Sequence, residues 1–494
     1  MIRHAPLLDL LERATDVRGD SIECRKKCAK ARTDDDPDNR DEHSIEGRTR
    51  LDDSIFTPLA DAGLTSLKIQ YDWRTDEHRL WAAKEWDRGL DFSQYNSAFD
   101  ALTLLTPSGI TLDNDATHAL YAEYGLDAHL DRVLEFLRQG RHVGIEAYYD
   151  AERDIRFMCH QHSRKRGLNT KRHAILAGGI RRHPRNEPEI DVIIDGLNLG
   201  RAMSFKNVAA DLDFGGCKTT VQMDELDLED LHALGFIAFA IDRCRTMTGP
   251  DMNFPTAMAD VINARFSQQF TGGPRSPLGE SGTPTAYGTF LAMKEAVRFQ
   301  EGRDSLRGMS AAVVGLGAVG WHLADLLAEG GVKLYVADLN PARGEAFAAQ
   351  RRDSDVTIVE VEEILDLDAD ILCPAAVGGI IDEDVIGRLK FRYVFGPANN
   401  QLKATSQAEE ERLAKLLADR GILFQTEWWH NTAGVMCGAE EYINGANASP
   451  ATLRARIEAT VPVKTRQNLE QAHALGITPT ENAYRTCVDA IYNV

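Results

Sequence analysis

Two lysines and two glycine pairs set out the chemistry open to this sequence. In Met203–Val221, MSFKNVAADLDFGGCKTTV, Lys206 and Lys218 lie on either side of a bend that ends in Gly215-Gly216. Lys206 sits among apolar and small residues, and Lys218 comes directly before a strand-like run. A lysine in a closed cleft can clamp a carboxylate. A second lysine beside it has its pKa lowered by the neighbouring cation and by desolvation, which suits acid–base work near neutral pH. Asp251, in TGPDMN, is then a proton carrier. Upstream, Ala177-Gly178-Gly179-Ile180-Arg181 pairs glycines that let backbone amides come close to a ligand. Spacing alone leaves a second reading open, in which both lysines are solvated surface groups.

A further motif points to a dinucleotide. The apolar run Met309–Val314 leads into Gly315-Leu316-Gly317-Ala318-Val319-Gly320, a helix follows over Trp321–Glu329, and a strand over Lys333–Ala337 ends at Asp338, 18 residues after Gly320. The glycines allow a tight turn and close approach of a pyrophosphate to the helix N-terminus, and the acid can accept from ribose hydroxyls. A carboxylate there repels a 2′-phosphate, so NAD is expected rather than NADP.

The elements that must position these groups alternate along the chain. Helical patterns cover Ile190–Asn207, Leu228–Thr246 and Thr285–Val297, and a strand is expected at Thr219–Met223. Beyond Met309, strands and helices alternate as in a parallel, doubly wound sheet. Residues 271–284, rich in Gly, Pro and Ser, read as a mobile connection. The expected layout is a flexible charged segment at 1–50, an extra module at 51–140, a substrate-binding domain at 141–282, a nucleotide-binding domain at 283–437 and C-terminal helices at 438–494. Ala116–Arg138 reads as one helical piece, and Ile145–Met158 as a strand or hairpin.

Composition narrows the class. The chain has 494 residues, 43 % hydrophobic content and a net charge of −20. It therefore has room for two or three domains, and neither nucleic acid nor an anionic membrane is expected as the main partner. The eight cysteines are scattered, which fits reduced thiols in a cytoplasmic protein. Cys24 and Cys28 are read as free thiols. Cys159, His160, His162 and His173 are read as a strand end and a basic loop rather than a metal cluster, so no metal is expected. No cleavable signal or membrane-spanning run is found.

MSFKNVAADLDFGGCKTTV resembles the two-lysine motif of the glutamate/leucine/phenylalanine/valine dehydrogenase superfamily, M-T-[WY]-K-N-A followed by G-G-G-K. The resemblance continues through TGPDMN, SGTPTAYGTFLAMKEA, GLGAVG, DILCPAAVGGIIDE, FGPANNQL and HNTAGVMCGAEEY. The resemblance implies an α/β fold. A substrate domain with a mixed sheet and a Rossmann-type doubly wound NAD domain would flank a cleft. It implies that Lys206 binds the substrate α-carboxylate, that Lys218 polarises the 2-oxo group and activates water, and that Asp251 exchanges protons with the amine or imine. It places Gly178 and Gly179 along the substrate site and Asn431 at its floor. Thr285 and Asn400, with Asn399 nearby, would hold the nicotinamide carboxamide. A homo-oligomer is implied as well.

Three positions depart from the pattern: Cys217 for the third glycine of G-G-G-K, Ala375 for a cysteine, and Ala433 for a glycine. Ala177 stands where glutamate-specific members carry a lysine, which places the chain nearer the leucine/phenylalanine type. The tandem Trp428-Trp429 is read as packing. The expected activity is reversible oxidative deamination of an L-amino acid by NAD, giving a 2-oxo acid and ammonium. The alternatives are a non-catalytic NAD- or amino-acid-binding descendant and a 2-hydroxy acid oxidoreductase. The latter would need a histidine–acid pair facing an arginine, and no such set occurs in order.

Overall fold

The computed structural model describes residues 53–87, 89–96, 109–164 and 174–492. The charged segment 1–50, with Cys24 and Cys28, lies outside these residues, as does His173. Packing divides the chain into two compact units.

The first unit takes in the described residues up to Gln161, with Arg182–Asn198 and Thr219–Ala240. It opens with a short helix α1 (Thr57–Ala62) and a hairpin, β1 (Ser66–Asp72) and β2 (Glu77–Ala83). Strand β3 (Ile110–Leu112) and helices α2 (Asn114–Glu123) and α3 (Asp127–Gly140) follow, and then a second hairpin, β4 (Gly144–Asp150) and β5 (Ile155–Gln161). These strands pair antiparallel in the order β3-β2-β1-β4-β5. The stretch expected as one helix is two, because Gly125 between α2 and α3 takes a left-handed φ of 70° that glycine adopts without a Cβ penalty. Leu130, Val133 and Leu137 of α3 fall on one face and share a core with Leu67, Ile69, Leu80, Ile145 and Ala147.

The second unit holds the described parts of His162–Arg181, Leu199–Lys218 and Ile241–Val494. Strands β6 (Leu176–Ala177) and β7 (Ile180–His183) precede helix α4 (Glu189–Ala209). Strand β8 (Gly215–Gln222), helix α5 (Leu231–Cys244), strand β9 (Thr246–Met247) and helix α6 (Thr256–Arg265) follow, and β7, α4, β8 and α5 each have part of their length in the first unit. The expected strand at Thr219 starts earlier. Parallel pairing of Leu176 with Gly215 and of Ala177 with Gly216 draws the glycines and Lys218 into β8. β9 flanks β6 on its other side, also parallel. The strands before residue 250 are thus of both senses: β1 to β5 pair antiparallel, and β6 pairs parallel with β8 and β9.

Helix α7 (Gly282–Glu301) leads to the nucleotide-type fold: β10 (Ser310–Val314), α8 (Gly320–Glu329), β11 (Lys333–Ala337), α9 (Pro341–Gln350), β12 (Val356–Ile358), β13 (Ile371–Pro374), α10 (Glu383–Arg388), β14 (Tyr393–Val394), α11 (Gln407–Asp419) and β15 (Leu423–Phe424). All six strands are parallel, in the order β12-β11-β10-β13-β14-β15. The order reverses between β10 and β13, as in a Rossmann fold. Successive side chains leave opposite faces of a strand. Ala311 and Val313 therefore join the core with Met293, Leu323 and Leu327, while Ala312 and Val314 join the one with Leu372, Val394 and Leu413. Helices α12 (Glu427–His430), α13 (Ala433–Asn444), α14 (Pro450–Leu475) and α15 (Pro479–Tyr492) complete the unit.

Loop 271–284, expected as a mobile connection, is fastened. The Glu441 carboxylate on α13 accepts from Gly272 N at 2.8 Å, Ser276 Oγ at 2.6 Å and Leu278 N at 3.0 Å.

Candidate active site

Backbone pairing brings Lys218 and Asp251 together. Gly178 N donates to Met247 O at 3.1 Å, Ile180 N to Gly249 O at 2.9 Å, and Asp251 N to Ile180 O at 3.0 Å. This ladder sets Asp251 beside Lys218 on β8, and the two side chains form a direct ion pair. Arg181 Nη2 donates to the same carboxylate oxygen, Oδ2, at 3.2 Å. Burial alone would raise the Asp251 pKa, but Lys218 and then Arg181 hold it down at about 2.

The paired glycines are needed for different reasons. A Cβ on Gly178 would fall 1.8 Å from Cys217 O, so this glycine lets two strands approach. A Cβ on Gly179 would lie 3.2 Å from Lys218 Nζ and 3.3 Å from Asp251 Cβ. Gly179 is therefore the one that borders the charged pair.

Lys206, near the C-terminal end of α4, reaches a second cluster. Its Nζ donates to Asn399 Oδ1 at 3.2 Å. The same oxygen accepts from Asn431 Nδ2 at 2.9 Å, and Asn431 also donates to Pro397 O at 3.0 Å. Asn400 takes a left-handed φ of 53° and donates its N–H to Glu427 Oε1 at 2.7 Å. Burial lowers the Lys206 pKa, with Lys218 adding to the effect and Glu427 and Asp251 opposing it. Burial, and then the nearby Glu410, push the Glu427 carboxyl up to about 7.

The glycine loop sits at the switch point of the parallel sheet. Gly315 has a φ of 101°, and a Cβ there would lie 2.5 Å from Ala376 Cβ. A Cβ on Gly320 would lie 2.0 Å from Gly315 O, whereas one on Gly317 would meet no atom within 4 Å. Ala318 is exposed and Val319 precedes the first turn of α8. Asp338 accepts from Leu316 N at 2.7 Å and from Asn340 N at 2.8 Å. These bonds and Arg343, 3.6 Å away, outweigh burial and lower its pKa. Thr285 lies in the first turn of α7, where its Oγ1 donates to Ser281 O at 2.7 Å. A Cβ on Gly434 would lie 2.8 Å from that Oγ1.

Two charged side chains at the site, Arg181 and Glu427, have no role that motif spacing predicts. An available signal for Glu427 was an acid inside the aromatic stretch T-E-W-W-H. The departures are absorbed by packing. The Cys217 thiol is buried and donates to Thr246 Oγ1 at 3.7 Å. The Ala433 methyl is 2.9 Å from where a Cβ on Gly288 would be, and the Ala375 methyl 3.0 Å from one on Gly320. Trp428 packs edge-on against Tyr484, with centroids 5.0 Å apart, and Trp429 Nε1 donates to Lys464 O at 3.1 Å.

The family model "Glu/Leu/Phe/Val dehydrogenase, dimerisation domain" matches residues 165–264. The chain is 33 % identical over 322 residues to phenylalanine dehydrogenase of Lysinibacillus sphaericus, covering 64 % of this chain and 81 % of that one. It is 35 % identical over 261 residues to leucine dehydrogenase of Thermoactinomyces intermedius, covering 52 % and 68 %. Among solved structures it is similar to L-tryptophan dehydrogenase from Nostoc punctiforme, with a TM-score of 0.60 and 27 % identity over 73 % of this chain and 98 % of that one. The chain belongs to the Glu/Leu/Phe/Val dehydrogenase family and is an amino-acid dehydrogenase nearer the leucine/phenylalanine type than the glutamate type.

Proposed function

We propose that the protein catalyses reversible oxidative deamination: L-amino acid, NAD⁺ and water give the 2-oxo acid, ammonium, NADH and a proton. The observation that carries this is the contact of Lys218 with Asp251, within a unit that also holds Lys206 and the glycine loop. Lys206 binds the substrate α-carboxylate. Lys218 stabilises negative charge on the oxygen as water adds to the imine carbon, and it positions that water. Asp251, held ionised, takes a proton from the substrate ammonium and returns one to the leaving amine.

The glycine loop fits a dinucleotide. A Cβ on Gly317 would meet no atom within 4 Å, and the first turn of α8 offers amides to a pyrophosphate. Asp338 can accept from ribose hydroxyls, which favours NAD over a 2′-phosphorylated form. Thr285, Asn399 and Asn400 would hold the carboxamide, and Gly178, Gly179 and Asn431 would border the substrate. A nicotinamide held there would supply the acceptor for hydride from the substrate α-carbon.

The test is NADH oxidation with ammonium and a panel of aliphatic, aromatic, acidic and basic 2-oxo acids. Ammonium-dependent turnover with an aliphatic or aromatic member supports the proposal. Turnover without ammonium would instead indicate 2-oxo acid reduction, and NADH binding without turnover would indicate a sensor.

A further inference from the structure

The first unit contains the same structural motif twice. α1 ends in the left-handed residue Gly63 and α3 in the left-handed residue Arg141. Leu64 N donates to Leu59 O at 2.9 Å, and His142 N donates to Leu137 O at 2.8 Å. Each helix end is followed by a hairpin of two seven-residue strands, β1–β2 and β4–β5. At the turns, Arg74 N donates to Asp72 Oδ1 at 2.9 Å and Glu152 N to Asp150 Oδ1 at 3.0 Å. Asp76 and Asp154 close the turns at φ 60° and 50°. Tyr71 bonds to Asp76, and Tyr149 to Asp154. Every one of these correspondences is at the same sequence shift.

The two copies face each other as an isologous pair, in which residue i contacts j and the counterpart of i contacts the counterpart of j. β1 and β4 pair antiparallel, with Leu67 opposite Ala147 and Ile69 opposite Ile145. Tyr71 N donates to Val143 O at 3.0 Å and, reciprocally, Tyr149 N to Thr65 O at 2.9 Å. Lys68 and Glu146, which are counterparts, lie opposite each other at the centre, and Lys68 Nζ is 2.8 Å from Glu146 Oε1. Glu146 is buried and also accepts from Tyr148 OH at 2.6 Å and Gln161 Nε2 at 3.1 Å.

We propose that residues 56–83 are a second copy of the helix–hairpin 134–161, built into the same chain, which occupies the edge of β4 where another chain's hairpin could pair. An open strand edge is a template for association. Here it is closed from within, and the central charges enforce the choice. Pairing of β4 with β4 about this centre would oppose Glu146 to Glu146, and β1 with β1 would oppose Lys68 to Lys68, both unfavourable. Assembly of this chain therefore uses surfaces other than the β4 edge. This inference does not depend on the proposed reaction.

The test uses full-length protein carrying Lys68→Cys and Glu146→Cys, oxidised and run on a non-reducing gel. The expected product is a crosslink within one chain, of monomer size. A product of twice that mass would show β4 paired with another copy and would overturn the proposal. Independently, Lys68→Glu should speed amide exchange across residues 65–71 and 143–149 by about tenfold, and Lys68→Glu with Glu146→Lys should restore protection. Exchange unchanged by Lys68→Glu would contradict the assigned role of the central charges.

Discussion

Asn400 donates its backbone N–H to Glu427 Oε1 at 2.7 Å, linking the loop after β14 to the turn before Asn431. Asn399, one residue earlier, accepts from both Lys206 and Asn431. Glu427 thus anchors the loop that would face the carboxylate clamp and the carboxamide. Glu427→Gln keeps the shape and removes the charge. A hydrogen bond to a charged group contributes about 1.5–3 kcal/mol, so kcat/KM is expected to fall about tenfold or more while the fold is retained. Steady-state kinetics with circular dichroism checks this, and unchanged kinetics would remove Glu427 from the site.

The pH dependence of stability has opposite signs at two acids. Glu427 titrates near 7 when folded against an ordinary 4.5, so its contribution is present below 4.5 and lost as pH rises through 7. Asp251 titrates near 2 against 3.8, so its contribution is present above 3.8 and lost as pH falls through 2. Denaturant titrations should show Glu427→Gln flattening the slope between pH 4.5 and 7 and Asp251→Asn flattening it below 3.8. The same window for both variants would contradict these environments.

Gly178→Ala and Gly179→Ala should separate stability from activity. The first places a methyl 1.8 Å from a backbone carbonyl in the sheet and should lower Tm markedly. The second places one 3.2 Å from Lys218 Nζ and should leave Tm within a few degrees while lowering kcat. Thermal melts and initial rates on both variants decide it.

Asp338→Ala should weaken NADH binding by about tenfold, since it removes both the partner of Leu316 N and the proposed acceptor for ribose hydroxyls. Asp338→Ala should also narrow the preference for NADH over NADPH. Fluorescence titration with both cofactors measures this, and an unaltered ratio would mean that Asp338 only braces the loop.

Much of this was legible in sequence where the pattern is local. The parallel, doubly wound class follows from apolar strands alternating with helices, and Lys333–Ala337 and the turn at Gly315–Gly320 fall where the periodicity places them. Other features depend on partners distant in sequence. Gly215 and Lys218 lie within β8 because Leu176-Ala177, far upstream, pair with its start. Glu427 carries only the weak local signal of an acid within T-E-W-W-H, because its partners Asn400 and Lys206 come from other parts of the chain. The repeated hairpin was hidden because few side chains match, and the likeness lies in turn geometry and hydrogen-bond register.

The most direct measurement is ammonium-dependent NADH oxidation by the wild type and by Lys218→Ala on the best 2-oxo acid. Catalysis by Lys218 with Asp251 predicts a fall in kcat of about 10²-fold or more, with NADH binding unchanged. Full turnover by Lys218→Ala would contradict it.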